Sequence, residues 1–266
     1  MRRLLEKKEK ILVGMVHCLP LPGTLNSNNT ISDVIKRAVD DALALEKCGY
    51  DALIVENEDK CLSPHMTKVQ FAAISMVICS VKEAVSIPVG ICLGCLNYEE
   101  ALSIAKVCGC SFIRTPVFVD TLVNYNGIIS PCSHQVISYR NTIGAGDVFI
   151  MADIQVKHYR MAFPDIPITE SARWAQNQGA DAVIVTGVNT GVETSADDLC
   201  KVKKTVSIPV VVGSGITCSN ILEQSRYADI IIVGTSIRKN RSMSEPIDVE
   251  AASELVSIAK RVVYEL

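Results

Sequence analysis

The residues of this chain best placed for chemistry stand at the ends of apolar runs. His17, Glu56, Arg114, Asp153 and Lys157 each close or interrupt a stretch rich in Val and Ile, and His158 follows at once. A polar group inside such a stretch is costly unless it is paired or used. The densest tract is Ala152–His158, reading ADIQVKH. Alternate residues of a strand share a face. The pattern therefore predicts Asp153, Gln155 and Lys157 together, pointing into one site within reach of His17 and Arg114. Lys157 fits a Schiff-base amine or a proton carrier, or an ion-pair partner of Asp153 or Glu56. His17 and His158 fit general acid–base work or hydrogen bonding to a ligand. The catalytic candidates are thus Lys157, His17, Asp153 and His158. Arg114 suits a carboxylate or a substrate oxyanion. Glu56, Asn57, Arg114, Gln155, Thr186 and Gly187 are the ligand-contact candidates.

A second pattern lies at Ile208–Ser236. IPVVVGSGIT and ADIIIVGTS are two apolar runs, each closed by Gly and a hydroxyl residue. Gly213, Ser214, Gly215, Gly234, Thr235 and Ser236 are expected to form a cup of backbone N–H donors at two helix N-termini, with Ser219 or Asn220 as an N-cap. Gly213, Gly215 and Gly234 can take positive φ and let backbone N–H groups approach a ligand closely. Such a cup favours a phosphate, and in a (β/α)8 barrel it belongs after the seventh and eighth strands.

The elements that would hold these residues alternate. Strands are expected at Ile11–His17, Ala52–Glu56, Pro88–Leu93, Phe112–Val117, Val148–Lys157, Ala182–Thr186, Pro209–Gly213 and Asp229–Gly234. Helices are expected at Ser32–Cys48, Val69–Val85, Asn97–Val107, Ser133–Thr142, Thr169–Gln178, Ser195–Val206, Asn220–Arg226 and Asp248–Tyr264, with Gly49, Gly109 and Gly179 as stops. Eight βα units in 266 residues predict one α/β domain over 1–266, a (β/α)8 TIM barrel with a helical extension at 1–10. An internal repeat agrees. GYDALIVEN and GADAVIVTG are offset by 130 residues, from 49 to 179; VKEAVSIPV and VKKTVSIPV are offset by 121, from 81 to 202. The order and spacing suggest two half-barrels.

Composition narrows the function. A formal net charge of −3 argues against a general nucleic-acid binder. No apolar run is long enough to span a bilayer, and the N-terminus lacks a signal-peptide core. Eleven cysteines in that setting read as cytosolic thiols, with no disulfide expected. Cys48, Cys79 and Cys200 stand in apolar contexts as small hydrophobes. Cys92, Cys95, Cys108 and Cys110 look like a four-thiolate zinc set, but barrel topology puts the two pairs on opposite rims, so no structural metal is expected. A divalent ion on Glu56, Asp153 or His17 stays open. No organic cofactor is expected. A homo-oligomer stays open.

GMVHCLPLPG (14–23), VEN (55–57), FIR (112–114), NGII (126–129), ADIQVKH (152–158), IVTG (184–187) with Thr190-Gly191, VGSGIT (212–217) and IVGTSIRKN (232–240) resemble the BtpA/SgcQ family. That resemblance implies a ribulose-phosphate-binding barrel. The family's namesakes are a photosystem I stability factor and a protein from a sugar-phosphotransferase gene cluster. The chain departs from the family's L-R-N-D after the third strand, having Gly94-Cys95-Leu96-Asn97. It has Pro116 and Asn124-Tyr125-Asn126-Gly127 in place of Asn and T-D-Q-G, and Glu58-Asp59-Lys60 in place of F-G-D. The expectation is a cytoplasmic protein binding a phosphorylated metabolite, a sugar phosphate above all. Isomerisation, epimerisation or aldol cleavage are the fitting reactions. The alternatives are a non-catalytic assembly factor and a flavin-phosphate binder.

Overall fold

The structure is a computed structural model that describes residues 1–6, 10–25, 27–57, 65–94, 96–125, 127–187 and 191–261. Glu58-Asp59-Lys60, Cys95, Asn126 and Thr190, singled out above, lie outside the described residues. In chain order the elements are α1 (Arg2–Leu5), β1 (Ile11–His17), α2 (Ile31–Cys48), β2 (Ala52–Glu56), α3 (Lys68–Ala84), β3 (Val89–Cys92), α4 (Tyr98–Cys108) and β4 (Phe112–Thr115). They continue with β5 (Leu122–Asn124), β6 (Gly127–Ile129), α5 (Ser133–Thr142), β7 (Phe149–Ile154), β8 (Arg160–Met161), α6 (Ile168–Asn177), β9 (Ala182–Val185) and α7 (Ala196–Thr205). The last are β10 (Val210–Val212), α8 (Ile221–Gln224), β11 (Ile230–Val233) and α9 (Val249–Arg261). Eight parallel strands close in the order β1-β11-β10-β9-β7-β4-β3-β2. The expected (β/α)8 barrel is therefore present, with strand bounds within a few residues of those read from the pattern.

Period-two alternation builds two apolar layers. One phase of each strand (Val13 and Met15, Ile54, Phe112, Met151, Ile184, Val211, Ile232) fills the barrel interior. The other phase (Leu12, Val16, Leu53, Val55, Ile91, Ile113, Ile150, Val183, Val212, Val233) packs against the helices. Strands buried on both faces must be apolar throughout, and these are. The helices start and stop where their ends are satisfied. Thr30 and Asp33 form a reciprocal capping box on α2, and Thr67 with Gln70 does the same on α3. Gly49 ends α2 in the left-handed region at φ 93°. Within the expected N-terminal extension, α1 covers Arg2–Leu5 and residues 7–9 lie outside the described residues; Met1 joins the interior cluster, with Leu4 and Leu5 packed against it.

The half-barrel repeat is a repeat of hydrogen bonding. Ser86 N and Ile87 N both donate to Glu46 Oε1, at 2.7 and 3.2 Å. Ser207 N and Ile208 N donate in the same way to Gln176 Oε1, at 2.7 and 3.4 Å. Asp51 accepts from Leu12 N at 2.8 Å and Asp181 from Ile150 N at 2.9 Å. Each S-I-P turn is thus tied to the helix of the preceding βα unit.

Two features depart from the expectations. A small antiparallel sheet, β6-β5-β8, stands outside the barrel, built from the segments after β4 and β7. Its strands have two or three residues, too short for a period to show. The second departure is a disulfide. Cys79 on α3 and Cys108 on α4 are bridged with their Cα atoms 5.3 Å apart, which corrects the reading of all the cysteines as thiols. Cys79 is only half-buried, on the face α3 turns to α4, where a thiol finds a thiol. Protein denatured without reductant should therefore titrate at most nine thiols, the eleven cysteines less the bridged two. Eleven would disprove the bridge.

Candidate functional site

The interior phase of the strands ends in a ring at the C-terminal face. Continuing two residues past Met15, Ile54, Phe112 and Met151 gives His17, Glu56, Arg114 and Asp153. Continuing past Val211 and Ile232 gives Gly213 and Gly234. Half the rim therefore carries ionisable side chains and the opposite side carries none. A narrow open cleft lies between them, lined by His17, Glu56, Arg114, Lys157, Gly191, the Gly213–Ile216 turn, Gly234 and Thr235.

The glycines hold this space in different ways. Gly215 alone of the three takes positive φ, 67°. Gly234 has φ −129°, and Gly213 is not in the positive region either, so neither uses the freedom a glycine allows. What Gly213 needs is absence of a side chain: a Cβ there would lie 2.6 Å from Ile184 Cγ2. At Gly234 it would lie 3.2 Å from His17 Cε1, so the imidazole sits directly against the second turn of the cup. The helices behind these turns are also shorter than expected. α8 is one turn, and Thr235–Ile237 is a 3-10 turn. The turns consequently have little helix dipole behind them, and the Gly213 N–H is already donated to Val185 O at 2.9 Å. Asn220 does not cap α8 with its side chain; it accepts from Thr217 N at 2.8 Å and donates to Gly215 O at 2.8 Å, bracing the turn. The segment after β9 is clamped to the cup as well. Thr194 Oγ1 donates to Ser214 O at 3.3 Å, and Gln224 Nε2 donates to Glu193 Oε1 and Thr194 O at 2.7 and 2.8 Å. Ser236 is absent from the lining, and its buried Oγ has no hydrogen-bond partner among the described residues.

The ionisable side chains form a connected network. Arg114 Nε and an Nη donate to the two oxygens of Asp153 at 2.8 and 3.0 Å. Arg114 lies 3.8 Å from Glu56 Oε1, and Glu56 Oε2 lies 3.3 Å from His17 Nε2. Burial drives the Glu56 carboxyl upward, but the His17 hydrogen bond and the Arg114 charge outweigh it and hold the group well below the carboxylate range. Burial pulls Arg114 down, and Asp153 overcomes this and raises it. Lys157 reaches the cleft, and among the described residues its ammonium has no salt-bridge partner. The Asp153–Lys157 pair that the strand pattern suggested is thus replaced by Asp153–Arg114.

The expectation of one common face for Asp153, Gln155 and Lys157 fails at Gln155. β7 ends at Ile154, and Gln155 takes φ 47°. Buried Asp120 accepts from Gln155 N at 2.6 Å and from Ser171 Oγ at 2.7 Å. The Gln155 amide turns away from the cleft to donate to Ile166 O at 3.0 Å. Chain reversal there returns Lys157 to the mouth, where its N–H donates to Thr186 Oγ1 at 3.1 Å. His158, at φ 70°, is exposed and outside the lining. Asn57 is outside it too, its N–H donating to Cys92 O. Gly187 serves packing, since a Cβ there would strike the Val192 and Glu193 carbonyls.

Sequence reasoning missed Arg238. It is 2% exposed, and its guanidinium donates to His17 Nδ1 (3.2 Å), Asp41 (2.9 Å), Glu245 O (2.6 Å) and Met15 O (3.0 Å). An arginine five residues past an apolar strand, inside the quoted IVGTSIRKN, was the available signal.

Acid should expose the Glu56 contribution. Its folded pKa lies below the ordinary 4.5, so the stabilisation is present above about pH 4.5 and is lost as pH falls below it. Asp120, raised by burial, works in the opposite sense. Urea midpoints between pH 6 and pH 3 should fall less steeply for Glu56→Gln than for the wild type; equal slopes would show that Glu56 is not held this way.

The BtpA family model matches residues 8–261. An uncharacterized protein of Pyrococcus furiosus is 36% identical over 254 residues, covering 95% of each chain. The photosystem I biogenesis protein BtpA of Synechocystis sp. is 31% identical over 241 residues, covering 89% of this chain and 83% of its own. Among solved structures, (S)-3-O-geranylgeranylglyceryl phosphate synthase from Thermoplasma acidophilum, in complex with sn-glycerol-1-phosphate, matches with TM-score 0.65 at 18% identity over 97% of both chains. Thiamine phosphate pyrophosphorylase from Pyrococcus furiosus matches with TM-score 0.58 at 17% identity, over 97% of this chain and 99% of that one. At those identities the likeness shows the barrel fold. No helix among the described residues is long and apolar enough to cross a membrane.

Proposed function

This chain belongs to the BtpA family, and from that premise we propose that it binds a phosphorylated small molecule, with the phosphate at the Gly213–Gly215 and Gly234–Thr235 turns and Lys157 as its counter-charge. The observation that carries this reading is the Lys157 ammonium, without a salt-bridge partner among the described residues, on the rim of a cleft lined by glycine turns. A cation facing glycine turns that leave room for a ligand across one cleft favours an anion. A solved neighbour of the same fold is described with sn-glycerol-1-phosphate bound, which supports phosphate monoesters as the first ligands to try. The ring of His17, Glu56 and Arg114 beyond the turns would meet the rest of the ligand.

A second reading, an assembly or stability factor, has one observation in its favour, the name of the Synechocystis relative. The two readings separate in one experiment. Calorimetric titration with inorganic phosphate and with sn-glycerol-1-phosphate should show saturable one-site binding. Lys157→Met should weaken it tenfold or more, about 1.4 kcal/mol, and Gly215→Ala should abolish it, because a Cβ at φ 67° would collide with the Val192–Glu193 backbone. Absence of binding, or binding unchanged in both variants, would remove the anion reading and leave the assembly role.

A further inference from the structure

We propose that the outward face of α3 is the docking surface for a second copy of this chain, α3 against α3 in antiparallel sense about a two-fold axis. The face lies on the outside of the barrel, and neither the cleft nor its ligand takes part.

The sequence of α3 is unlike that of its neighbours. From Val69 to Val81 it carries no charged residue. A helix that is apolar all round is covered on both sides. One side of α3 is covered: Ile74, Val77, Ile78 and Val81 are fully buried in the core. The other side is open. Val69 is 58% exposed and Met76 53%, and Ala72 is exposed between them. Other helices turn charges outward, Lys36, Asp40 and Lys47 on α2 and Asp197 and Lys201 on α7. Ala72, Met76 and Cys79 recur at spacings of four and three, the pattern of a seam between two packed helices. The Cys79–Cys108 bridge ties α3 to α4, so the two present one surface.

Charges at the ends of the face identify the partner. Exposed Lys68 stands in the first turn of α3 and exposed Glu83 in the last, where Lys82 is half-buried beside Cys110. Base first and acid last opposes the helix dipole, so the Lys68–Glu83 order does not serve the helix itself. It suits a second α3 running the other way. Set about a dyad between Ser75 and Met76, Lys68 meets Glu83 and Ala72 meets Cys79. An isologous interface requires this reciprocity. The neighbouring helices obey it too, because a two-fold axis perpendicular to the helices lays α2 on α2 and α4 on α4. Asp40 then meets Lys47 about Leu43, itself 43% exposed, and Glu99 meets Lys106 about Ser103. Asp40 already accepts from Lys36 at 2.6 Å, and Lys106 donates to Gly144 O at 2.7 Å. The rim charges therefore set register, and the apolar centre supplies the affinity. At 1.5 Å per residue, the 17 residues of α3 are about 25 Å long. Three helices about 9 Å apart give a face of roughly 700 Å² per copy, near the ~800 Å² per partner of a stable interface.

Sedimentation equilibrium tests this on the full chain. At about 100 µM, above the µM dissociation constants that interfaces of this size reach at their weakest, the mass should be twice the 28.8 kDa of one chain. A monomer at that concentration would overturn the proposal. Met76→Glu sets two carboxylates close together at the dyad and should raise the dissociation constant by about 100-fold or more. Met76 is exposed in the single chain, so the variant should keep the wild-type circular dichroism spectrum. Charge reversal reads the register. Lys68→Glu and Glu83→Lys should each weaken the dimer, and the two together should restore it, a rescue that a role within one chain would not produce. Both positions are exposed, so this pair still decides the matter should Met76→Glu not fold. A dimer indifferent to Met76→Glu forms elsewhere and would overturn the assignment of the face. A dimer that Met76→Glu breaks but the double reversal does not restore would overturn the antiparallel register. The rival occupant is a lipid surface. Monomeric wild type that co-sediments with phosphatidylglycerol vesicles, with loss of binding in Met76→Glu, would give the face to lipid and remove the second copy.

Discussion

Asp153→Ala is expected to destabilise the protein by about 3–5 kcal/mol, the cost of leaving a buried charge without its partner. Asp153 is 1% exposed and Arg114 5%, and the two are joined by paired hydrogen bonds of 2.8 and 3.0 Å. Arg114 stays charged in the variant, with only Glu56 at 3.8 Å to answer it. Its remaining donors would lie in a cavity the size of a carboxylate. The double variant Arg114→Met/Asp153→Ala should recover much of the loss, because an apolar side chain of similar length needs no partner there. Urea unfolding of the four proteins measures the coupling. If the single and double variants lose the same amount, the loss does not come from an unpaired Arg114 charge. The reading of strand alternation alone would have assigned this loss to Lys157; Lys157→Met should instead leave the urea midpoint nearly unchanged.

That contrast marks how far the sequence could be read. The barrel was legible because the barrel strands are largely apolar on both faces and several helices carry a start or stop residue, such as Thr30 and Gly49 on α2. The ring of His17, Glu56, Arg114 and Asp153 was legible for the same reason: each continues an interior phase by two residues. The glycine turns were legible as residue types, but not which need each glycine meets: Gly215 takes positive φ, while Gly213 and Gly234 leave room for neighbours. Gln155 was illegible. Period two holds only while the strand does, and a backbone at φ 47° breaks it after Ile154. The cause is Asp120, 35 residues earlier, whose carboxylate takes the Gln155 N–H. Arg238 was hidden in another way. Its four partners come from α2, β1 and the chain around it, contacts that spacing does not announce. The Cys79–Cys108 bridge joins two helices 29 residues apart in sequence, and only the packing of α3 on α4 brings them together.

Gly90→Ala should cost about 1–3 kcal/mol, as expected for overpacking a filled core, and should weaken ligand binding as well. Gly90 is directly opposite Phe112 in the register of β3 on β4. Three ring carbons of Phe112 occupy the place where a Cβ at Gly90 would go. Phe112 is fully buried in the barrel interior, so the ring has no open space to enter. The strain must move either β3 or β4. β4 carries Arg114 two residues beyond Phe112 on the same face, and β3 ends at Cys92, paired in register with Glu56. Either shift reaches the mouth. A smaller ring-side partner should relieve it: Gly90→Ala/Phe112→Leu is expected to be more stable than the two separate losses predict, with a coupling on the order of 1 kcal/mol. The double variant should also regain phosphate affinity, since that affinity depends on the rim and not on the ring. Thermal melts and phosphate titration of the same four proteins test both claims. Additive losses would show that Gly90 and Phe112 do not compete for one space. Unchanged phosphate affinity in Gly90→Ala would show that the rim is insulated from the layer beneath it.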